Sequence, residues 1–223
     1  MKTLIRKLFD AVGGCYSKKL NINLRGRDDN EIFKWFIASL LFGARIGETI
    51  AKNTYFSFAH KNILFPKGFI QNSWEDIVTI LDEGGYARYD FKTATKLISA
   101  SKNLINNYNG SLNNLYYQSK NEKDLEKKIK ALAKGIGPIT TNIFLRELRD
   151  IWKKTNPPFS RFTIYGAQSL GIKDLRKIWE ENRIEGFTFA DFESAFLKLG
   201  KNFCLKKKCK ICPVRNYCIR KIQ

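Results

Sequence analysis

Residues 128–149 read KIKALAKGIGPITTNIFLRELR. An apolar, helix-forming run meets Gly135-Ile136-Gly137 and then Pro138, and a second helical run follows. Pro138 suits a first helical position, where no amide donor is missed. Glycine at 135 and 137 permits a sharp turn and lets the main chain approach another surface closely. Ile136 between them is expected to anchor the turn in the core. The spacing predicts a helix over about 122–134, a tight hairpin at 135–137 and a helix over 138–153. A helix starting beside such a bend presents unpaired N–H groups, which together with the helix dipole favour a phosphate. A dinucleotide fold is disfavoured, because no strand precedes the glycines.

Outward from the hairpin the pattern stays helical. After Asp28, Asp29 and Asn30 come Phe33, Phe36, Ile37, Leu40 and Leu41, one apolar helix face. A second helix is expected over 48–60, and a loop at Pro66 and Gly68. Ser73 caps WEDIVTILDE, and Gly84-Gly85 ends it. Phe91 to Tyr108 reads as a helix, closed by Asn109-Gly110, and a polar stretch follows. Beyond Pro157-Pro158, Ser160 is expected to cap a helix reaching about Leu170. Further helices are expected over 173–182 and 188–200. Alternating segments are few, so the expected fold class is all-α.

The 223 residues carry 40 Lys+Arg against 21 Asp+Glu, a net charge of +19 with His60 neutral. Such a balance points to a polyanionic partner, nucleic acid first. Hydrophobic residues make up 43% of the chain, enough for a real core. No stretch approaches the roughly 20 apolar residues of a bilayer span. The opening MKTLIRKLFDAV lacks the apolar run of a secretory signal. An intracellular protein without a membrane partner is therefore expected.

Four of the five cysteines, Cys204, Cys209, Cys212 and Cys218, are spaced C-x4-C-x2-C-x5-C within a Lys- and Arg-rich tail. Disulfides across such short loops would be strained. Zinc sites usually pair two C-x2-C knuckles across a longer span. One C-x2-C with partners at short offsets suits an iron–sulfur cluster better; zinc remains the alternative. Cys15, far off in sequence, reads as a small buried apolar residue.

LAKGIGPITTNIFLREL resembles the helix–hairpin–helix of the endonuclease III-like DNA glycosylases. CKICPVRNYC resembles the end of their iron–sulfur loop, particularly in the adenine-mismatch branch, and FLKLGKNFC the helix leading into it. EIFKWFIASLLFGARIGETIA is similar to the family's first core helix and the turn after it. The likeness spans about residues 30–223. One departure is the first cysteine spacing, four residues where the family commonly has six.

The resemblance implies a two-lobed helix–hairpin–helix fold with a C-terminal four-Cys cluster loop. A terminal lobe would comprise 1–30 plus 155–223, with a 4Fe-4S cluster loop at 204–218 held by Cys204, Cys209, Cys212 and Cys218. A central lobe, 31–154, would carry the helix–hairpin–helix at 126–152. Double-stranded DNA would bind a monomer across the groove between lobes, with a damaged or mismatched base turned out for excision. Backbone phosphates would meet Lys134, Gly135, Ile136, Gly137, Ile139 and Thr140. Two family loops that fill the vacated stack correspond to Ala44-Arg45 and to Gly85-Tyr86-Ala87-Arg88-Tyr89, which makes Arg45, Tyr86 and Arg88 wedge or clamp candidates.

The family's two catalytic positions are changed here. Its lysine nucleophile corresponds to Ile139, which has no nucleophile. Its aspartate, at the start of a later helix, corresponds best to Ser160, and residues 153–171 contain no acid. Lys134, Asp150 and Ser160 are the remaining catalytic candidates. The sequence thus supports a glycosylase-like enzyme with relocated chemistry, or alternatively a non-catalytic iron–sulfur lesion-binding protein. Lyase action through the usual lysine is not expected.

Overall fold

The computed structural model describes residues 1–220. The chain is all-α, with no strand among the described residues. In chain order the first helices are α1 (Lys2–Val12), α2 (Tyr16–Lys19), α3 (Asp29–Phe42), α4 (Glu48–His60), α5 (Pro66–Gln71), α6 (Trp74–Glu83) and α7 (Asp90–Tyr108). They are followed by α8 (Leu112–Tyr117), α9 (Glu122–Ala131), α10 (Pro138–Arg146), α11 (Arg161–Ser169), α12 (Leu175–Glu181) and α13 (Phe189–Leu199). After α13 come a wide π turn, Gly200–Cys204, and two single 3₁₀ turns, Cys209–Ile211 and Arg215–Tyr217. No helix among the described residues is long and apolar enough to cross a membrane.

Two helices lie where the sequence suggested loop. In α5, Pro66 opens the helix rather than breaking it, and Gly68 packs where a Cβ would stand 2.5 Å from the Ile63 carbonyl oxygen. In α8, the Ser111 hydroxyl accepts the Asn114 N–H at 3.0 Å and so starts a helix inside a polar stretch. Helix α10 is shorter than the spacing predicts and gives way to irregular turns. The Thr155 hydroxyl lies 3.0 Å from the Leu148 carbonyl and 2.5 Å from that of Trp152, both of which also accept main-chain N–H groups of these turns.

The chain divides into two compact units. The central unit is Lys19–Asn156. Residues 19–30 therefore group with it and not with the terminal segment. Contacts on that stretch give the reason: Asn113 donates to the Arg27 carbonyl and to Asp29 Oδ1, both at 2.8 Å, and the Ser111 hydroxyl donates to Asp29 at 2.7 Å. At the centre runs α3, buried on nearly every face from Ile32 to Leu41. Such a helix is stable only when surrounded by others. The Trp35 indole donates to the Phe144 carbonyl at 3.0 Å, and Phe36 meets Phe144 edge-on at 5.3 Å, which ties α3 to α10. Gly43 after α3 lies against Thr140, where a Cβ would stand 2.2 Å from Oγ1.

The terminal unit combines Met1–Lys18 with the described residues from Pro157 on. Leu4, Ile5, Leu8 and Phe9 of α1 share one apolar core with Phe192, Phe196 and Leu199 of α13, Trp179 of α12 and Val214 of the cysteine loop. Helices α11 and α13 cross closely at glycines: a Cβ on Gly166 would stand 2.4 Å from the Phe196 carbonyl oxygen, and one on Gly200 2.0 Å from that of Phe162. Asp191 closes a capping box at the start of α13. It also accepts the Cys15 N–H at 2.9 Å and the Lys18 ammonium at 2.7 Å. Burial opposes ionisation of Asp191, but its hydrogen bonds to Lys18, Cys15 and Thr188 outweigh that and hold its pKa below the usual aspartate value.

Candidate nucleic-acid interface

The hairpin is built by three local devices. Helix α9 stops at Ala131, and the Ile136 N–H closes a turn onto the Ala133 carbonyl at 3.2 Å. Gly135 adopts φ +89°, which residues with a Cβ enter at a cost. Pro138 then opens α10, and Thr141 returns both its N–H (3.1 Å) and its hydroxyl (3.0 Å) to the Gly137 carbonyl.

The result is an exposed bend on a buried anchor. Ile136 is 5% exposed and pins the turn, while Lys134 and Gly135 lie at the surface. Gly137 has an ordinary φ of −102°, and a Cβ there would meet nothing within 4 Å. The main-chain N–H groups of Gly137, Ile139 and Thr140 have no protein acceptor among the described residues. Ile139 is 70% exposed, a large apolar side chain standing in solvent beside those amides.

Other expected contact residues divide. Arg45 and Arg88 are exposed, and the Arg88 guanidinium stands 5.3 Å over the Tyr89 ring. Tyr86 is 1% exposed, with its hydroxyl 3.4 Å from that of Thr93. It is a core residue and not a wedge, because the turn after Gly85 folds the ring inward. Thr140 is 6% exposed and packed against Gly43, so its side chain is closed to a ligand. The Ser160 hydroxyl accepts the Thr163 N–H at 3.1 Å and lies 2.9 Å from the Thr163 hydroxyl, the work of a helix cap. Asp150 is exposed.

One neighbour of the hairpin was missed in sequence. Lys96 of α7 reaches Gly135, and a Cβ built there would stand 3.1 Å from Lys96 Cε. No sequence signal marks it. Asn103, two helical turns further along α7, donates to the Leu132 carbonyl at 2.9 Å, so the face shared by 96 and 103 is the hairpin's support.

None of the five cysteines is in a disulfide. Cys15 is buried, and the Ser194 hydroxyl lies 4.0 Å from its sulfur. Cys204, Cys212 and Cys218 pack against the terminal unit's apolar core. Among the described residues no group of three or more Cys, His, Asp or Glu side chains is placed to hold a metal ion. The loop thiols nevertheless act on one another electrostatically. Burial raises the Cys204 pKa, and Cys212, Cys218 and Cys209 raise it further against a hydrogen bond with Ser169. The Cys212 thiol is pushed up by burial and by Cys218 and Cys209. Four sulfur donors within fifteen residues are the donor type of a thiolate-ligated metal or iron–sulfur group, but the described geometry does not gather them about one point.

Compared with models of known protein families and with curated proteins, the chain matches none.

Proposed function

We propose that this protein binds duplex DNA through the 135–137 hairpin and acts in base-excision repair, as an endonuclease III-like DNA glycosylase that recognises a damaged or mismatched base turned out of the stack. One observation carries the reading: an exposed glycine bend beside which the Gly137, Ile139 and Thr140 amides have no protein acceptor among the described residues, in a chain of net charge +19. Amides so placed grip a backbone phosphate and set register without reading sequence. Arg45, Arg88 and Lys134, all exposed, extend the cationic surface available to the phosphates.

A second reading has its own support. Ile139 is apolar and Ser160 is engaged as a cap, so neither offers the amine or carboxylate of a glycosylase site. A non-catalytic lesion-binding protein accounts for both. The two readings separate in one experiment, in which duplexes carrying abasic, oxidised-purine, oxidised-pyrimidine, uracil or mismatch sites are assayed for binding, base release, strand cleavage and borohydride trapping. Base release on any of them supports the enzyme. Tight binding with no release, cleavage or adduct supports the binder. Absence of duplex binding defeats both.

Cys204, Cys209, Cys212 and Cys218 would hold a 4Fe-4S cluster, with zinc as the alternative occupant. The cluster would fix the fold of the basic loop and supply no bond-making step. Protein purified without oxygen should be brown with about four irons per chain; a colourless protein with one zinc assigns the site to zinc instead.

A further inference from the structure

Lys96 is set apart from the other half-buried lysines. Lys34 and Lys130 meet carboxylates at 2.5 and 3.0 Å. Lys128 pairs with Asp124 at 3.1 Å, and Lys154 donates to the carbonyls of Tyr116 and Ser119 at 2.8 and 2.5 Å. Lys201 also has a partner. Among the described residues, nothing takes the ammonium of Lys96. Its stem instead lies along the hairpin: a Cβ on Gly135 would stand 3.1 Å from Cε and 3.6 Å from Nζ. A cation is thus held, without a counter-ion, at the bend whose nearby amides also lack acceptors.

We propose that Lys96 is a phosphate-binding residue of the hairpin, an ammonium placed by α7 to meet the same DNA phosphate group as the Gly137, Ile139 and Thr140 amides. The assignment rests on the duplex-DNA reading above. Its logic is one of preorganisation. An ammonium already held at the bend loses little side-chain freedom when the anion arrives. Burial lowers the Lys96 pKa, so the fold carries a desolvation cost for this charge that no internal contact offsets. Groups kept at such a cost are characteristic of binding sites. Gly135 is then constrained twice, by its positive φ and by the lysine lying over it.

The test uses the full chain and a fluorescent duplex titrated over a range of salt concentrations. Lys96→Gln should weaken binding roughly tenfold at low salt, equally on all sequences, and lower the slope of log K against log salt by about one. Lys96→Arg should keep most of both. The melting temperature of Lys96→Gln should be unchanged or higher, which a merely structural lysine would not give. DNA should also protect the Lys96 amine from acylation, read by peptide mass. If Lys96→Gln binds within twofold of the parent while Gly137→Leu does not bind, the Lys96 assignment is overturned and the hairpin reading stands. If Gly137→Leu also binds like the parent, both fall.

Discussion

Gly135 and Gly137 stand two residues apart and differ in what they require. Gly135 is held at φ +89° beneath Lys96, whereas Gly137 has an ordinary backbone and open space around it. Gly135→Val should therefore lower stability by about 1–3 kcal/mol, the range for a non-glycine residue in a sparsely populated region. Gly137→Leu should melt within a degree or two of the parent yet lose duplex binding, because its side chain projects where a phosphate would sit. Thermal melts and fluorescence anisotropy on both variants check this. Tyr86 and Arg88 make a similar contrast. Tyr86→Ala opens a cavity under α7 and should cost about 3–5 kcal/mol, while Arg88→Ala should leave the melt alone and weaken DNA binding. Equal melts for the two would remove Tyr86 from the core.

At the level of elements, Asp191 is the contact whose pH dependence can be assigned. Its folded pKa lies below the usual value, so its contribution is complete above about pH 4 and is lost as pH falls through the depressed value. Asp191→Asn should cost about 2 kcal/mol at neutral pH, the scale of hydrogen bonds to a charged group. It should also flatten the acid limb of a plot of melting temperature against pH. An acid limb identical to the parent's would show that Asp191 titrates alike folded and unfolded. Several elements were legible in sequence because their signals are local. The Ser73 capping box starts α6, Pro138 starts α10, and Asn109, at φ +54°, ends α7. The misses were also local signals, read with the wrong sign. Pro66 looks like a breaker but is an opener, and LNNLYY looks like loop until Ser111 caps it. What no pattern could supply was the set of contacts between elements. The packing of Thr140 against Gly43 is invisible in the sequence, and Lys96 reads as one lysine among many until Gly135 is found beneath it.

For the whole molecule, the excess of 19 positive charges sets the expected behaviour with polyanions. Two phosphate contacts predict that duplex affinity falls roughly tenfold between about 50 and 200 mM salt, and every further contact steepens the fall. Affinity flat across that range, measured on an undamaged duplex, would falsify phosphate-led binding. Composition alone suggests this partner class. It did not reveal where the charge would be used, because most lysines are solvated and only a few are positioned by packing.

The terminal unit is discontinuous, with α1 sharing its core with α12 and α13 and Cys15 held by Asp191. During translation α1 must therefore wait for partners made much later in the chain, while residues 19–156 can already settle into their own core. A ribosome stalled before α13 would leave Leu4, Ile5, Leu8 and Phe9 uncovered, an apolar stripe open to chaperones and to aggregation.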